Sequence, residues 1–349
     1  MRGAFRILSI FSLSILAAGQ ALTQSSLNRQ LSLPQQSSST LTDPSYQASF
    51  PPVVANGLVT AKWERGRMVS FGTGSTLEPI QLYDKSGALI FEAPLKVEGA
   101  AKFYVRDVSV STPNSVAVAM AAVTEDGAIA DFIAEVQRNG INRIIRTSPF
   151  RAAQICTTDD GMVWAYGWER DSTGADRHGD YAMLREFSFE HGQLRSAIKR
   201  SEVRLPSGVP VTGSRQEVQL ICGREKLVLL NGAVNKIVEY DLQHSSVTKA
   251  NLPELPQDIP LTSITGAALS ASGELYVSTQ QSGNLAQTGI FRLNLKTQAG
   301  PVWDVVASGP SAGKWFHLLG SDGSALVYSR GVRSSTVYWS AMSASEVAK

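Results

Sequence analysis

Residues 268–279 read ALSASGELYVST, two apolar runs that flank a tight polar turn at Ser272 and Gly273. A second pair of strand-like runs, IFRLNLKTQAGPVWDV, follows at residues 290–305. Because Gly tolerates positive φ angles, Ser-Gly, Asp-Gly and Asn-Gly pairs between apolar runs are typical of β-hairpins. The stretch therefore predicts two successive hairpins, that is, four antiparallel strands.

The same unit recurs along the chain at a period of roughly 45–50 residues, a pattern typical of β-propeller blades. The first hairpin reappears as AAQICTTDDGMVWAYG at 152–167, QLICGREKLVLLN at 219–231 and HLLGSDGSALVYS at 317–329, with degenerate copies at 60–72 and 108–120. The predicted units are 57–98, 99–147, 148–204, 213–252, 261–307 and 313–342. We therefore predict an all-β fold, a six-bladed β-propeller with four antiparallel strands per blade. Five or seven blades and a β-sandwich are the alternatives.

The last of these units is one strand short. After its third strand, STVYWSAM, only SASEVAK remains. A strand from elsewhere must complete the blade, and the predicted donor is the segment 46–54. We therefore expect an N-terminal strand to form the outer strand of the last blade and to close the ring.

The N-terminus has the pattern of a secretory signal peptide. Arg2 and Arg6 precede an apolar run over residues 7–18, and the small residues Gly19 and Ala21 follow it. An apolar run of about a dozen residues is too short to cross a bilayer core of roughly 30 Å, although an uncleaved anchor is the alternative. We expect residues 1–21 to be a signal peptide, 22–52 a disordered Ser/Gln/Pro-rich leader and 53–349 the propeller domain. The sequence thus predicts export to the periplasm or the extracellular space, with no integral membrane segment after cleavage.

The net charge of the chain narrows its possible partners. The formal net charge of +2 disappears once Arg2 and Arg6 are removed, so the mature chain is close to neutral. Without a basic stripe, a nucleic-acid partner is not expected.

Cys156 and Cys222 are too few for a disulfide framework. Their predicted positions on neighbouring inner strands favour two buried free thiols, and a single disulfide is the alternative.

The repeats resemble those of the NHL-like and related six-bladed β-propellers. The resemblance rests on SGELYVST at 272–279 with IFRLNLKTQAG at 290–300, and on KLVLLNGAVNKIVEYD at 226–241. It implies the fold alone, because such propellers include binding scaffolds, hydrolases and lyases. Some are calcium-dependent lactonases that hold the metal with Glu, Asn and Asp around the channel. The predicted inner strands here begin with more cations than carboxylates, so we predict no metal and no cofactor.

The connections between second and third strands are the long ones, at 72–79, 169–180 and 280–288. In repeat proteins, insertions on one face often mark a binding face, and we call this side the long-loop face. The candidate ligand-binding residues near it are Arg106, Arg151, Trp168, His178, Lys314 and His317. The cations among them would suit an anionic ligand, unless each pairs with a nearby carboxylate. His178 lies in the segment WERDSTGADRHGD at residues 168–180, which is interpreted as a solvated surface loop, with a calcium site as the alternative. His317 is interpreted as a core residue, with a catalytic residue as the alternative.

Motifs that carry chemistry are missing from the sequence. It contains no G-x-S-x-G elbow and no phosphate loop, and its four histidines fall in four different units. The sequence therefore favours an exported, non-catalytic β-propeller that binds a protein, peptide or glycan through its long-loop face. The alternative is a metal-dependent hydrolase or lyase, lactonase-like, that acts at the channel mouth. The identity of the ligand and the oligomeric state do not follow from the sequence.

Overall fold

A computed structural model describes part of the compact unit Ser37–Lys349. The described residues are 40–41, 44–50, 59–72, 79–171, 173–175, 177–203, 218–281, 284–295, 300–308, 316–330 and 335–343. The predicted signal peptide lies outside them. Among the residues described, no helix combines the length and the hydropathy that a membrane crossing requires.

The strands follow one another in groups that coincide with the sequence repeats. Two short strands come first: β1 (Thr40–Leu41) and β2 (Tyr46–Ser49). Group 1 contains β3 (Val59–Glu64), β4 (Arg67–Gly72), β5 (Ile80–Tyr83) and β6 (Leu89–Ala93). Group 2 contains β7 (Lys102–Thr112), β8 (Ser115–Val123), β9 (Ile129–Gln137) and β10 (Gly140–Arg146). Group 3 contains β11 (Phe150–Thr157), β12 (Val163–Glu169), β13 (Leu184–Ser188) and β14 (Gly192–Ser196).

The second half of the chain repeats the arrangement. Group 4 contains β15 (Val218–Cys222), β16 (Lys226–Asn231), β17 (Lys236–Asp241) and β18 (Val247–Asn251). Group 5 contains β19 (Ile264–Leu269), β20 (Leu275–Gln281), β21 (Asn284–Asn294) and β22 (Val302–Ser308). Group 6 contains β23 (Phe316–Asp322), β24 (Ala325–Arg330) and β25 (Thr336–Ser343). The described helical segments are α1 (Arg200–Val203) and two 3-10 turns, Pro256–Asp258 and Leu261–Ser263.

Groups 2 to 5 each form a separate four-stranded antiparallel sheet. Groups 1 and 6 belong to one larger sheet, because Gly320 of β23 pairs in parallel with Trp63 of β3. A Cβ atom at Gly320 would lie 2.0 Å from the Trp63 carbonyl oxygen, so this close approach requires glycine. Strand β2 pairs antiparallel with β25 and occupies the fourth position of group 6. Residues 51–54 of the predicted donor segment lie outside the described residues.

The core consists of apolar layers between successive groups. Strand β8 is buried along almost its whole length and β12 along all of it, on both faces of the sheet. Strands covered on both faces show continuous apolar runs and no alternation. Among the described residues, apolar clusters join groups 1 and 2, 2 and 3, 3 and 4, 4 and 5, 5 and 6, and 6 and 1. Trp63, Trp164, Trp303 and Trp339 are all buried in these layers.

Two local expectations differ from the structure. Cys156 and Cys222 form a disulfide with a Cα–Cα distance of 5.6 Å, so the expectation of two free thiols is wrong. The reason is that the first strands of groups 3 and 4 lie close beside each other, joined also by Gln154, whose Oε1 accepts a hydrogen bond from the Leu220 N–H. The predicted loop 280–288 is instead mostly strand, because β20 and β21 continue to pair as far as Gln281 and Asn284.

Candidate functional site

The first strands of all six groups line one cavity of about 790 Å³. Its wall also includes residues of the turns that connect first and second strands, such as Thr158, Gly223 and Gly323. The cavity therefore reaches the side opposite the long-loop face, which we call the turn face. Its volume falls in the range of about 300–1,000 Å³ that is typical of small-molecule sites.

The charged groups of the cavity wall hold its strands together. Lys62 on β3 lies 2.8 Å from the carboxylate of Asp107 on β7 and donates a hydrogen bond to the Val108 carbonyl. The Glu64 carboxylate accepts hydrogen bonds from Ser109 Oγ at 2.6 Å and from the Val110 N–H at 2.9 Å. Burial raises the pKa of Glu64, and the nearby Lys62 only partly offsets that effect. These carboxylates are therefore engaged in linking groups 1 and 2.

Equivalent links continue around the cavity. Asp107 also accepts a hydrogen bond from the Ile155 N–H of group 3 at 2.9 Å. Ser278 of group 5 accepts one from the Leu318 N–H of group 6 at 3.0 Å. Arg65, in the first turn of group 1, donates to the Ser111 carbonyl at 2.6 Å. Side chains thus hydrogen-bond backbone groups of neighbouring first strands and connect the groups around the cavity.

Three of the six predicted site residues come together at the boundary of groups 2 and 3. Arg151 on β11 lies opposite Trp168 on β12, and its guanidinium stands 5.1 Å from the centre of the indole ring. Arg106 on β7 donates a hydrogen bond to the carbonyl of Ala152, the residue after Arg151, at 3.3 Å. These side chains lie near the starts of the first strands, on the long-loop side. We call Arg106, Arg151, Trp168, Asp131 and Arg170 the arginine cluster.

The charge partner of Arg106 is Asp131 on β9. Arg106 Nη2 lies 2.5 Å from Asp131 Oδ1, and the two side chains are 11% and 4% exposed. Arg170, directly after β12, approaches the other carboxylate oxygen at 4.0 Å. Burial lowers the pKa of Arg106 to about 10; Asp131 opposes this shift, and the charges of Arg151 and Arg170 add to it. Arg106 nevertheless stays protonated at neutral pH, and both Arg106 and Arg170 lie beside the buried carboxylate of Asp131.

The loop that follows β12 is anchored by a second set of charges. Glu169 is buried and accepts hydrogen bonds from Arg177, at 2.5 Å, and from Arg185. Arg185 also stands 4.3 Å from the centre of the Phe150 ring. Hydrogen bonds from Thr173 lower the pKa of the exposed Asp171. The interpretation of residues 168–180 as a solvated surface loop therefore fails at its start, because Trp168 and Glu169 end a strand and are buried.

The other three predicted site residues lie elsewhere or outside the described part. His178 is exposed in the loop after β12. His317 lies on β23 opposite Ser329 and lines the cavity. Lys314 lies outside the described residues. The six candidates therefore do not form a single described site.

Sequence reasoning missed Asp131 and Arg170, which complete the arginine cluster. It considered the starts of the first strands, whereas Asp131 is on a third strand and Arg170 is in a loop. A signal was present in IADFIAEVQ at 129–137, where an acidic residue interrupts an apolar strand. Such a residue is expected to have a buried partner. Within the described residues, no group of three or more His, Cys, Asp or Glu side chains is arranged to hold a metal ion.

Comparisons with known proteins agree with this architecture. No protein-family model and no curated protein matches the sequence. The chain is similar to a DUF4221 family member from Bacteroides vulgatus, with 9% identity and a TM-score of 0.50 over 88% of this chain and 99% of that one. A protein from Bacteroides fragilis, named as a candidate exported protein, has 11% identity and a TM-score of 0.50 over 88% and 96% of the two chains. A luciferin-regenerating enzyme has 12% identity and a TM-score of 0.46 over 85% and 92%.

The fold is all-β and propeller-like. At identities this low, structural similarity concerns the fold and not the activity. The resemblance to NHL-like propellers in particular stays a prediction.

Proposed function

We propose that this chain is an exported six-bladed β-propeller that acts as a non-catalytic binding scaffold. Its ligand is a protein, a peptide or a glycan, bound on the long-loop face. The observation that carries the proposal is the convergence of Arg106, Arg151 and Trp168 from two strand groups, beside the anchored loop after β12. Aromatic and arginine side chains of this kind are enriched where proteins bind their partners.

Six blades in a closed ring are supported by the packing between groups. Each group packs on the next, the sixth packs on the first, and all six first strands line one cavity. The pairing of β2 with β25 supports closure by the N-terminal strand. Full closure protects the edges of the sheets, which is how propellers avoid edge-to-edge association.

Export is supported by the disulfide between Cys156 and Cys222. Disulfides persist in oxidising compartments and are rare in the cytosol. Together with the predicted signal peptide, this favours the periplasm or the extracellular space.

The test replaces residues 171–180 with a Gly-Ser segment of equal length in the chain 22–349. Wild type and variant are applied to peptide and glycan arrays. The matched control replaces the turn 242–246, which connects β17 and β18 on the turn face. We expect the loop replacement to abolish binding and the turn replacement to leave it intact. Equal binding by all three proteins would refute recognition through the long-loop face.

The cavity favours a second candidate, a metal-dependent hydrolase or lyase at the channel mouth. Its volume of about 790 Å³ suits a small substrate. Thermal unfolding with calcium and then with EDTA separates the two functions. A metal at about 100 times its dissociation constant stabilises the folded state by roughly 2.7 kcal/mol, a shift of several degrees. A rise with calcium and a fall with EDTA would favour the enzyme, and no shift would favour the scaffold.

A further inference from the structure

Arg170 is a mostly buried cation whose hydrogen-bonding capacity is unused. Its side chain is only 13% exposed, and its Nε lies 4.0 Å from Asp131 Oδ2. That distance is too long for a hydrogen bond. Among the described residues, its guanidinium therefore donates none, although it carries five N–H donors. None of its nitrogens is among the buried side-chain atoms that lack a partner, so they are accessible to an acceptor that comes from solvent.

Asp131 does not supply the missing acceptor. Its Oδ1 is bound at 2.5 Å by Arg106, which comes from the neighbouring strand group. The charges of Arg151 and Arg170 already repel that of Arg106. An anion placed between Arg106 and Arg170 would reduce this repulsion and accept the unused hydrogen bonds of Arg170. A guanidinium binds a planar carboxylate in a two-pronged geometry, which makes a carboxylate well suited to the site.

We propose that Arg106 and Arg170 bind a carboxylate side chain of an acidic peptide segment, with Arg151 stacked on Trp168 beside them. The inference deepens the scaffold function and rests on it. A peptide is favoured over a sulfated glycan by the recessed position of both arginines, whose side chains are 11% and 13% exposed. A single Asp or Glu side chain needs only the small exposed part of these two side chains, whereas a sulfated chain needs cations spread over the surface.

The surrounding charges point to the same class of ligand. Glu169, Asp171 and Asp180 all lie in or next to the loop that carries Arg170. Asp171 and Asp180 are exposed and engaged by hydroxyl and N–H groups of Thr173 and Ser201. They would repel a dense polyanion, but a peptide with an isolated carboxylate can pass between them.

The experiment uses the chain 22–349 and the decapeptides of a mixed-sequence array that bind it. Each binder is paired with a copy in which Asp and Glu are replaced by Asn and Gln. We expect the acidic copy to bind more tightly, and Arg170→Gln to weaken its binding at least about tenfold, as expected for a hydrogen bond to a charged group. Arg170→Lys keeps the positive charge but cannot donate two parallel hydrogen bonds to one carboxylate, so its loss of binding should be intermediate. The matched control is Arg146→Gln, since Arg146 is an exposed arginine of β10 in the same strand group as Arg106, and this variant should leave peptide binding unchanged.

The outcomes separate the carboxylate site from the scaffold function. The carboxylate site would be overturned if the peptides bind equally well with and without their Asp and Glu residues, or if Arg170→Gln binds them as tightly as the wild type does. Either result would leave the scaffold function standing. If the protein binds a heparin fragment and no peptide, and Arg170→Gln abolishes that binding, the proposal that the ligand is a peptide would be overturned. If the wild type binds neither the peptide array nor the glycan array, recognition of peptides and glycans by the scaffold is overturned as well. Circular dichroism of each variant checks that the fold is retained.

Discussion

Asp107 links three strand groups through one buried carboxylate. It belongs to β7, it pairs with Lys62 of group 1 at 2.8 Å, and it accepts a hydrogen bond from the Ile155 N–H of group 3. The carboxylate is 2% exposed, whereas the Lys62 side chain is 25% exposed. A buried ion pair contributes little net stability, but removing one partner is costly because it leaves the other uncompensated.

We expect Asp107→Asn to lower the free energy of unfolding by about 2–4 kcal/mol, measured by urea denaturation. The loss should fall short of the range for a fully buried pair, because water partly screens Lys62. The matched control is Asp159→Asn, which removes an ion pair with Arg65 whose carboxylate is 76% exposed. That control should cost less than about 1 kcal/mol. Equal losses in the two variants would contradict a linking function of Asp107.

Glu64 should make stability depend on pH. Burial raises the pKa of Glu64 above its ordinary value of 4.5, so the folded protein holds this proton more tightly than the unfolded chain does. The resulting stability is fully present below the ordinary pKa and is lost as the pH rises through the pKa of the folded state. We expect the wild type to lose stability relative to Glu64→Gln over this interval, measured by urea unfolding at successive pH values. A stability difference that stays constant with pH would show that Glu64 titrates alike in both states.

At the scale of single elements, the first strands of groups 3 and 4 are tied by the disulfide between Cys156 and Cys222. The two cysteines are 66 residues apart in sequence, so the bond closes a long loop in the unfolded chain. Both cysteines also line the cavity, each next to the turn that follows the first strand of its group. The bond therefore fixes two neighbouring strands at the turn-face end of the cavity.

We expect the double variant Cys156→Ser/Cys222→Ser to lose about 2–4 kcal/mol of stability, because the unfolded chain regains the entropy of the open loop. A reductant should lower the Tm of the wild type and leave that of the double variant unchanged. Two titratable thiols in the unreduced, denatured wild type would show that the bond does not form.

Across the compact unit Ser37–Lys349, residues near its beginning and near its end meet in one aromatic cluster. Tyr46 contacts Trp339 at 5.0 Å between ring centres, Phe50 contacts Tyr83 at 5.9 Å, and Trp63 contacts Trp339 at 4.9 Å. Lys85 adds an ion pair with Asp322 and stands over the Tyr46 ring. Strand β2 is thereby held by residues of groups 1 and 6 together.

Deleting residues 22–50 should destabilise the protein, because it uncovers β25 and removes the buried Phe50 from this cluster. Losing a buried aromatic side chain alone costs about 3–5 kcal/mol, which corresponds to a fall in Tm of at least roughly 6 °C. The matched control deletes residues 22–36 and keeps β1 and β2. Equal Tm values for the two deletions would refute closure of the ring by β2.

The sequence by itself determined the strand content, the four-stranded units and their approximate bounds. Hairpin turns such as those at Gly161, Gly273 and Gly323 are local, and the apolar runs beside them record burial on both faces of a sheet. These features depend only on residues close together in the chain. They therefore leave a pattern that can be read without the tertiary structure.

Only the tertiary structure decided which distant residues meet. The disulfide, the pairing of Asp131 with Arg106 and the approach of Arg170 each depend on how neighbouring groups are inclined and spaced, and a shift of a few ångströms would undo them. The repeat pattern predicted that Arg106 and Arg151 begin neighbouring blades, but not that a third-strand carboxylate lies between the groups. Packing between groups, which no local sequence pattern encodes, places these side chains within reach of one another.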